Sequence, residues 1–147
     1  MFKRRFLLPW SLSALVMLAL SNLWHGLILN DLADLKVPIG LYLGLSLLVY
    51  VLIALGLTVA VQQALHHEWI SLQRGFPWMG FLAGTIVGFT VYLVAFIFGM
   101  SFTSHKLVHV VVDVLWQMVE QGVGGMAVTW GILWDLHKGF MEAERAK

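Results

Sequence analysis

The chain has no cysteine among its 147 residues. That excludes disulfides, thiolate metal sites, iron–sulfur clusters and covalently attached c-type haem. Charge is scarce as well, with only 12% of residues being Asp, Glu, Lys or Arg, against about 25% in a typical soluble domain. The net charge is +1 and the basic residues sit at segment ends instead of forming a stripe, so nucleic acid is not an expected partner. Proline occurs three times, at Pro9, Pro38 and Pro77. Each falls at the start of an apolar run, where a missing N–H costs little and the fixed φ suits the first helical turn.

What fills the chain is apolar. Hydrophobic residues make up 60% of it and the mean hydropathy is +0.85, too apolar for an ordinary water-soluble globule. Four runs, approximately residues 6–29, 39–61, 78–100 and 105–134, each reach the roughly 20 residues needed to cross a bilayer as a helix. They are too long and unbroken for the alternating strands of a membrane barrel. The opening Lys3, Arg4 and Arg5, with the small residues Ala19 and Ser21, also has the outline of a signal peptide. The apolar run nevertheless continues through Trp24 and Leu27 to Leu29, so it reads as an uncleaved anchor.

Together the runs leave no room in residues 1–147 for a soluble domain or a nucleotide-binding unit, and one membrane domain is expected. With the N-terminus cytoplasmic, that side holds Lys3, Arg4, Arg5, Arg74, Lys138, Arg145 and Lys147, and the far side only Lys36 and Lys106. This asymmetry follows the positive-inside rule and puts both termini in the cytoplasm. Trp10, Trp69, Trp78, Trp130 and Trp134 then gather as a belt at the cytoplasmic interface. Short connections favour an all-α, up-down-up-down four-helix bundle. The segment 62–76, with His66, His67, Glu68 and Trp69, is the candidate for a short interfacial helix, and the residues after Asp135 read as a solvated helical tail.

Helices in lipid are not pressed together by the hydrophobic effect, so small residues that admit close backbone approach carry the packing. Gly80, Gly84 and Gly88 recur at i+4 and make one smooth face on the third run. Gly40 and Gly44 form a shorter pair on the second run, and Gly122, Gly124, Gly125 and Gly131 lie on the fourth. The partner of these faces is expected first within the chain, and second in another copy or subunit.

The polar residues of the fourth run are patterned. His105, His109, Asp113 and Gln117 recur every four residues and Glu120 follows, so all five lie near one helix face. From His105 to Glu120 the stripe covers about 22 Å of rise. An acidic group at mid-membrane costs about 2.5–3.5 kcal/mol on the insertion scale and usually faces protein or a cavity. The first run supplies a counterpart in Asn22, His25, Asn30, Asp31 and Asp34. A structural hydrogen-bond network is the plain reading of this convergence.

Three sharper readings use the same residues. His25, His109 and Asp113 have the donor chemistry of a metal site, since His at i and i+4 can ligate one ion. His25 and His109, on different helices, are the one well-placed pair for the two axial ligands of a b-type haem. The whole stripe, with Glu120 deepest and Gly122, Gly124 and Gly125 beside it, could carry protons or ions. Nothing in the chain has the pattern of a Ser/His/Asp nucleophile or a phosphate-cradling glycine loop.

Trp24-His25-Gly26 with Asp31, and Glu120-Gln121-Gly122 with Gly124-Gly125, give the chain a layout that resembles small four-helix bacterial membrane proteins of the domain-of-unknown-function type. The resemblance implies a bacterial cytoplasmic membrane and no particular activity. The leading expectation is a non-enzymatic accessory or scaffold subunit without a cofactor, packing in the bilayer with copies of itself or a larger membrane complex. The competing one is a metal-, haem- or proton-binding membrane protein that uses the His/Asp/Glu cluster between the first and last helices.

Overall fold

The computed structural model describes residues 4–28, 38–72, 75–95, 97 and 107–145. The described chain is all-helical. Helix α1 (Arg4–Leu23) continues into one π-helical turn (Trp24–Ile28), followed by α2 (Ile39–His66), α3 (Phe76–Ala95) and α4 (Leu107–Arg145). Three stretches, Arg5–Ile28, Ile39–His66 and Phe76–Ala95, are long and apolar enough to cross a membrane. Helix α4 is the longest at 39 residues, about 58 Å at 1.5 Å per residue. Its hydropathy is interrupted by His109, Asp113, Gln117, Glu120 and Gln121, which explains why it falls outside the apolar set.

The prolines divide. Pro38 is the N-cap of α2 and Pro77 is the second residue of α3, both sites that need no proline N–H. Pro9 lies inside α1, contrary to the expectation that all three mark span starts. A proline there has no N–H to offer the carbonyl four residues back, which belongs to Arg5. The Gln62 side-chain amide of α2 donates to that carbonyl at 3.4 Å, so a neighbouring helix fills the gap. At the other end of α1, the Asn22 side-chain amide donates to the Leu18 carbonyl at 2.7 Å. Such side-chain competition loosens the α ladder where the π turn begins.

Helix α2 runs five residues past the expected end of the second run, to His66, and a turn follows. Glu68 (φ 58°) and Gly75 (φ 100°) adopt the left-handed conformation that such a reversal requires. Among the described residues the 62–76 segment holds no separate interfacial helix; its first turn extends α2 and its last residue opens α3.

Helix α4 is the hub, packed most extensively on α3 and next on α1. The glycine contacts set the directions. A side chain at Gly80 would strike Thr129 and Gly125, at Gly84 Gln121 and Gly122, and at Gly88 Gln117 and Met118. Contacts therefore descend α4 as they climb α3, and the two helices are antiparallel. Gly131 lies against Pro9 and Gly124 against Met17, so α1 is antiparallel to α4 as well. Ser13 Oγ reinforces this seam by donating to the Gly124 carbonyl at 2.9 Å, and Trp10 Nε1 ties α1 to α2 through the Val51 carbonyl at 2.8 Å.

Two apolar clusters fill the interior. Ala14, Met17, Tyr50 and Ala54 pack between α1 and α2, while Leu57, Val61, Phe76 and Val128 join α2, α3 and α4. Both involve α2 only from Tyr50 onward. Residues 39–49 include no buried position, and a Cβ at Gly40 or Gly44 would meet nothing within 4 Å. The first three turns of α2 thus stand clear of the described bundle.

Candidate functional site

Among the described residues the most deeply buried ionisable group is Glu120, 1% exposed, and its neighbour Gln121 is fully buried. Both sit a little over a third of the way along α4, where the glycines at 122, 124 and 125 let α1 and α3 close in on either side. Glu120 faces the junction of α1 and α2. Its Oε2 accepts a hydrogen bond from Trp116 Nε1 at 3.1 Å, one turn earlier. Tyr50 of α2 places its hydroxyl within electrostatic range of the same carboxyl and close to Ser21 on α1. Glu120 Oε1 and both polar atoms of Gln121 have no hydrogen-bond partner among the described residues.

An aromatic pair closes the site toward the N-terminal end of α4. Trp24, the first residue of the π turn, stacks on Trp116 with ring centroids 4.1 Å apart. The stack fixes the indole that donates to Glu120. This face combines a carboxylate, a phenol and a hydroxyl from three helices, enough to hold and exchange a proton or to bond a buried water.

The other sequence-stripe residues are placed as follows. His25 is half-buried in the π turn, and Asp113 and Gln117 are half-buried on α4. Asp113 lies within electrostatic range of Tyr92 on α3, and the Gln117 backbone carbonyl lies beneath Gly88. His109 opens α4, but its side chain lies outside the described residues, as do Asp31 and His105 entirely. Among the described residues no group of three His, Cys, Asp or Glu side chains is close enough to hold a metal ion.

Tyr50, Ser21 and Trp116 were not singled out by pattern. Tyr50 is an isolated hydroxyl in a run of Leu and Val, and Trp116 precedes Glu120 by four residues; that spacing is the one signal that could have paired the latter two. No family model, curated protein or solved structure matches the chain.

Proposed function

We propose that the chain is a multi-pass membrane protein, an up-down-up-down four-helix bundle with both termini cytoplasmic. It acts as a non-enzymatic accessory or scaffold subunit in a bacterial cytoplasmic membrane. The seven-to-two distribution of Lys and Arg supports the orientation. For α4, the burial of Glu120 and Gln121 against α1, α2 and α3 supports a fourth crossing, because it removes the polar groups that lipid would reject.

The observation that carries the scaffold role is the free start of α2. The glycine seam of α3 is spent on α4, whereas Gly40 and Gly44 remain open on a helix whose residues 39–49 are all outside the core. Small residues at i and i+4 on a helix face that meets no other described residue are the geometry for close approach of a second helix, from another copy or a larger complex. Because the chain lacks cysteine, Gly44→Cys gives a single-thiol probe. Oxidative cross-linking in native membranes should yield a product at twice the chain mass or at a discrete higher mass, and a chain that stays monomeric would defeat the reading.

One observation favours a second reading, a proton-binding membrane protein. Glu120 is buried with one carboxyl oxygen held by Trp116 and the other without a hydrogen-bond partner among the described residues. Reconstituted vesicles should then show proton flux that Glu120→Gln abolishes, and equal flux in both would dismiss it.

A further inference from the structure

The α1–α4 seam opens on its outer side into an apolar groove of about 370 Å³ lined by Leu8, Leu12, Trp130, Gly131 and Trp134. Its construction follows from one glycine. Gly131 lies so close to Pro9 that an added Cβ would stand 2.7 Å from the Pro9 Cα, and the two helices therefore meet there without side chains between them. Leu8 and Leu12, one turn apart on α1, form one wall. Trp130 and Trp134, one turn apart on α4 and each about two-thirds exposed, form the other. The result is a trough with a backbone floor and apolar walls.

Trp134 also borders a second pocket of about 340 Å³, with His137, Lys138, Met141, Glu142 and Arg145. Lys138 follows Trp134 by one turn, about 6 Å along the axis. The trough thus continues, across one indole, into a surface with Lys138 and Arg145 against the single carboxylate of Glu142. Under the membrane reading, on which this inference rests, the trough lies in the cytoplasmic leaflet and the basic pocket at its headgroup level.

We propose that the two connected pockets form a binding site for one anionic phospholipid, an acyl chain lying between Leu8, Leu12 and the two tryptophans and the phosphate meeting Lys138 and Arg145. Three features on one face agree with this occupant. The trough is apolar and open along its length, as an acyl chain requires. The tryptophans stand at the boundary where indoles prefer the interface. The cations stand just beyond them, where basic pockets at the cytoplasmic side take anionic headgroups. Among the described residues, the charged groups that line this pocket are His137, Lys138, Glu142 and Arg145. Asp135 is turned to the other side of α4, where it pairs with Arg5 at 3.5 Å.

The test uses the full chain, purified in mild detergent and mixed with phosphatidylglycerol or phosphatidylcholine, with bound lipid read by native mass spectrometry. Phosphatidylglycerol should bind in preference to phosphatidylcholine. Lys138→Gln and Arg145→Gln should each weaken phosphatidylglycerol by about fivefold, the value of one interfacial cation, and leave phosphatidylcholine unchanged. Trp134→Ala should weaken both lipids. Equal binding of the two lipids, or no effect of the cation variants, would overturn the proposal, as would displacement by millimolar inorganic phosphate, which would mark a free-anion site. Helicity by circular dichroism shows that each variant is folded. A chain that washes off membranes in carbonate would instead remove the bilayer reading on which the site rests.

Discussion

Trp24 and Trp116 lie face to face, their planes 9° from parallel. The stack couples the π turn of α1 to α4 and holds the Trp116 N–H on the buried Glu120 carboxyl. It is the clearest case in this protein of one residue's geometry being set by a partner 92 positions away.

Trp116→Phe should keep part of the stack and lose the donor. Losing the donor leaves the buried Glu120 Oε2 without a partner, at about 1–3 kcal/mol, so thermal unfolding in detergent should show a loss in that range. Trp116→Ala should cost more, since it removes the ring as well. A Phe variant as stable as the parent would mean that the hydrogen bond contributes nothing, and equal losses for the two would mean that the stack contributes nothing.

Glu120→Gln retains an acceptor for Trp116 and should fold with little change. Glu120→Ala leaves Trp116 Nε1 without its acceptor, at about 1–3 kcal/mol for a buried orphaned group. Urea or heat unfolding of the two variants side by side measures the difference. A Gln variant as unstable as the Ala variant would contradict the assignment of Glu120 as an acceptor.

Gly84 and Gly44 look alike in sequence and differ in surroundings. A Cβ at Gly84 would run into the Gln121 backbone and stand 2.9 Å from the Gly122 Cα, whereas one at Gly44 meets nothing. Gly84→Ala should force α3 from α4 and lower stability by several kcal/mol, in the tail of mutational effects tied to overpacking. Gly44→Ala should leave the unfolding midpoint of the monomer within about 0.5 kcal/mol of the parent, as exposed substitutions do.

Gln62 serves the carbonyl that Pro9 leaves without a helical partner. Gln62→Leu should cost under about 1 kcal/mol, the net value of one exposed neutral hydrogen bond. In a Pro9→Ala background the Arg5 carbonyl regains a backbone donor, so the same substitution should cost less. A double-mutant cycle on unfolding free energy reads this coupling, and strict additivity would show that Gln62 does not compensate for the proline.

Much of this was legible in the sequence, and the rest was not for definite reasons. Long apolar runs located α1, α2 and α3, and the i+4 glycines marked a packing face. Glu120 stood out because a carboxylate inside an apolar helix needs shelter. The facing directions of α2 and α3 were not readable, because both are apolar all round and no polar side marks their outer surface. Tyr50 meeting Glu120 joins positions 70 residues apart, which local periodicity does not encode. Pro9 reads as a start signal because the basic residues before it look like a flank, yet Arg4 and Arg5 already belong to the helix.

The proposed topology, four crossings of the bilayer with both ends in the cytoplasm, is tested most directly by labelling from each side. The absence of cysteine allows Ile39→Cys, His67→Cys and Glu142→Cys to be labelled one at a time in intact cells and in inverted vesicles with a membrane-impermeant maleimide. The four-crossing bundle predicts that His67→Cys and Glu142→Cys react only in inverted vesicles and Ile39→Cys only in intact cells. Labelling of Glu142→Cys from outside, or of Ile39→Cys and Glu142→Cys from the same side, would contradict it.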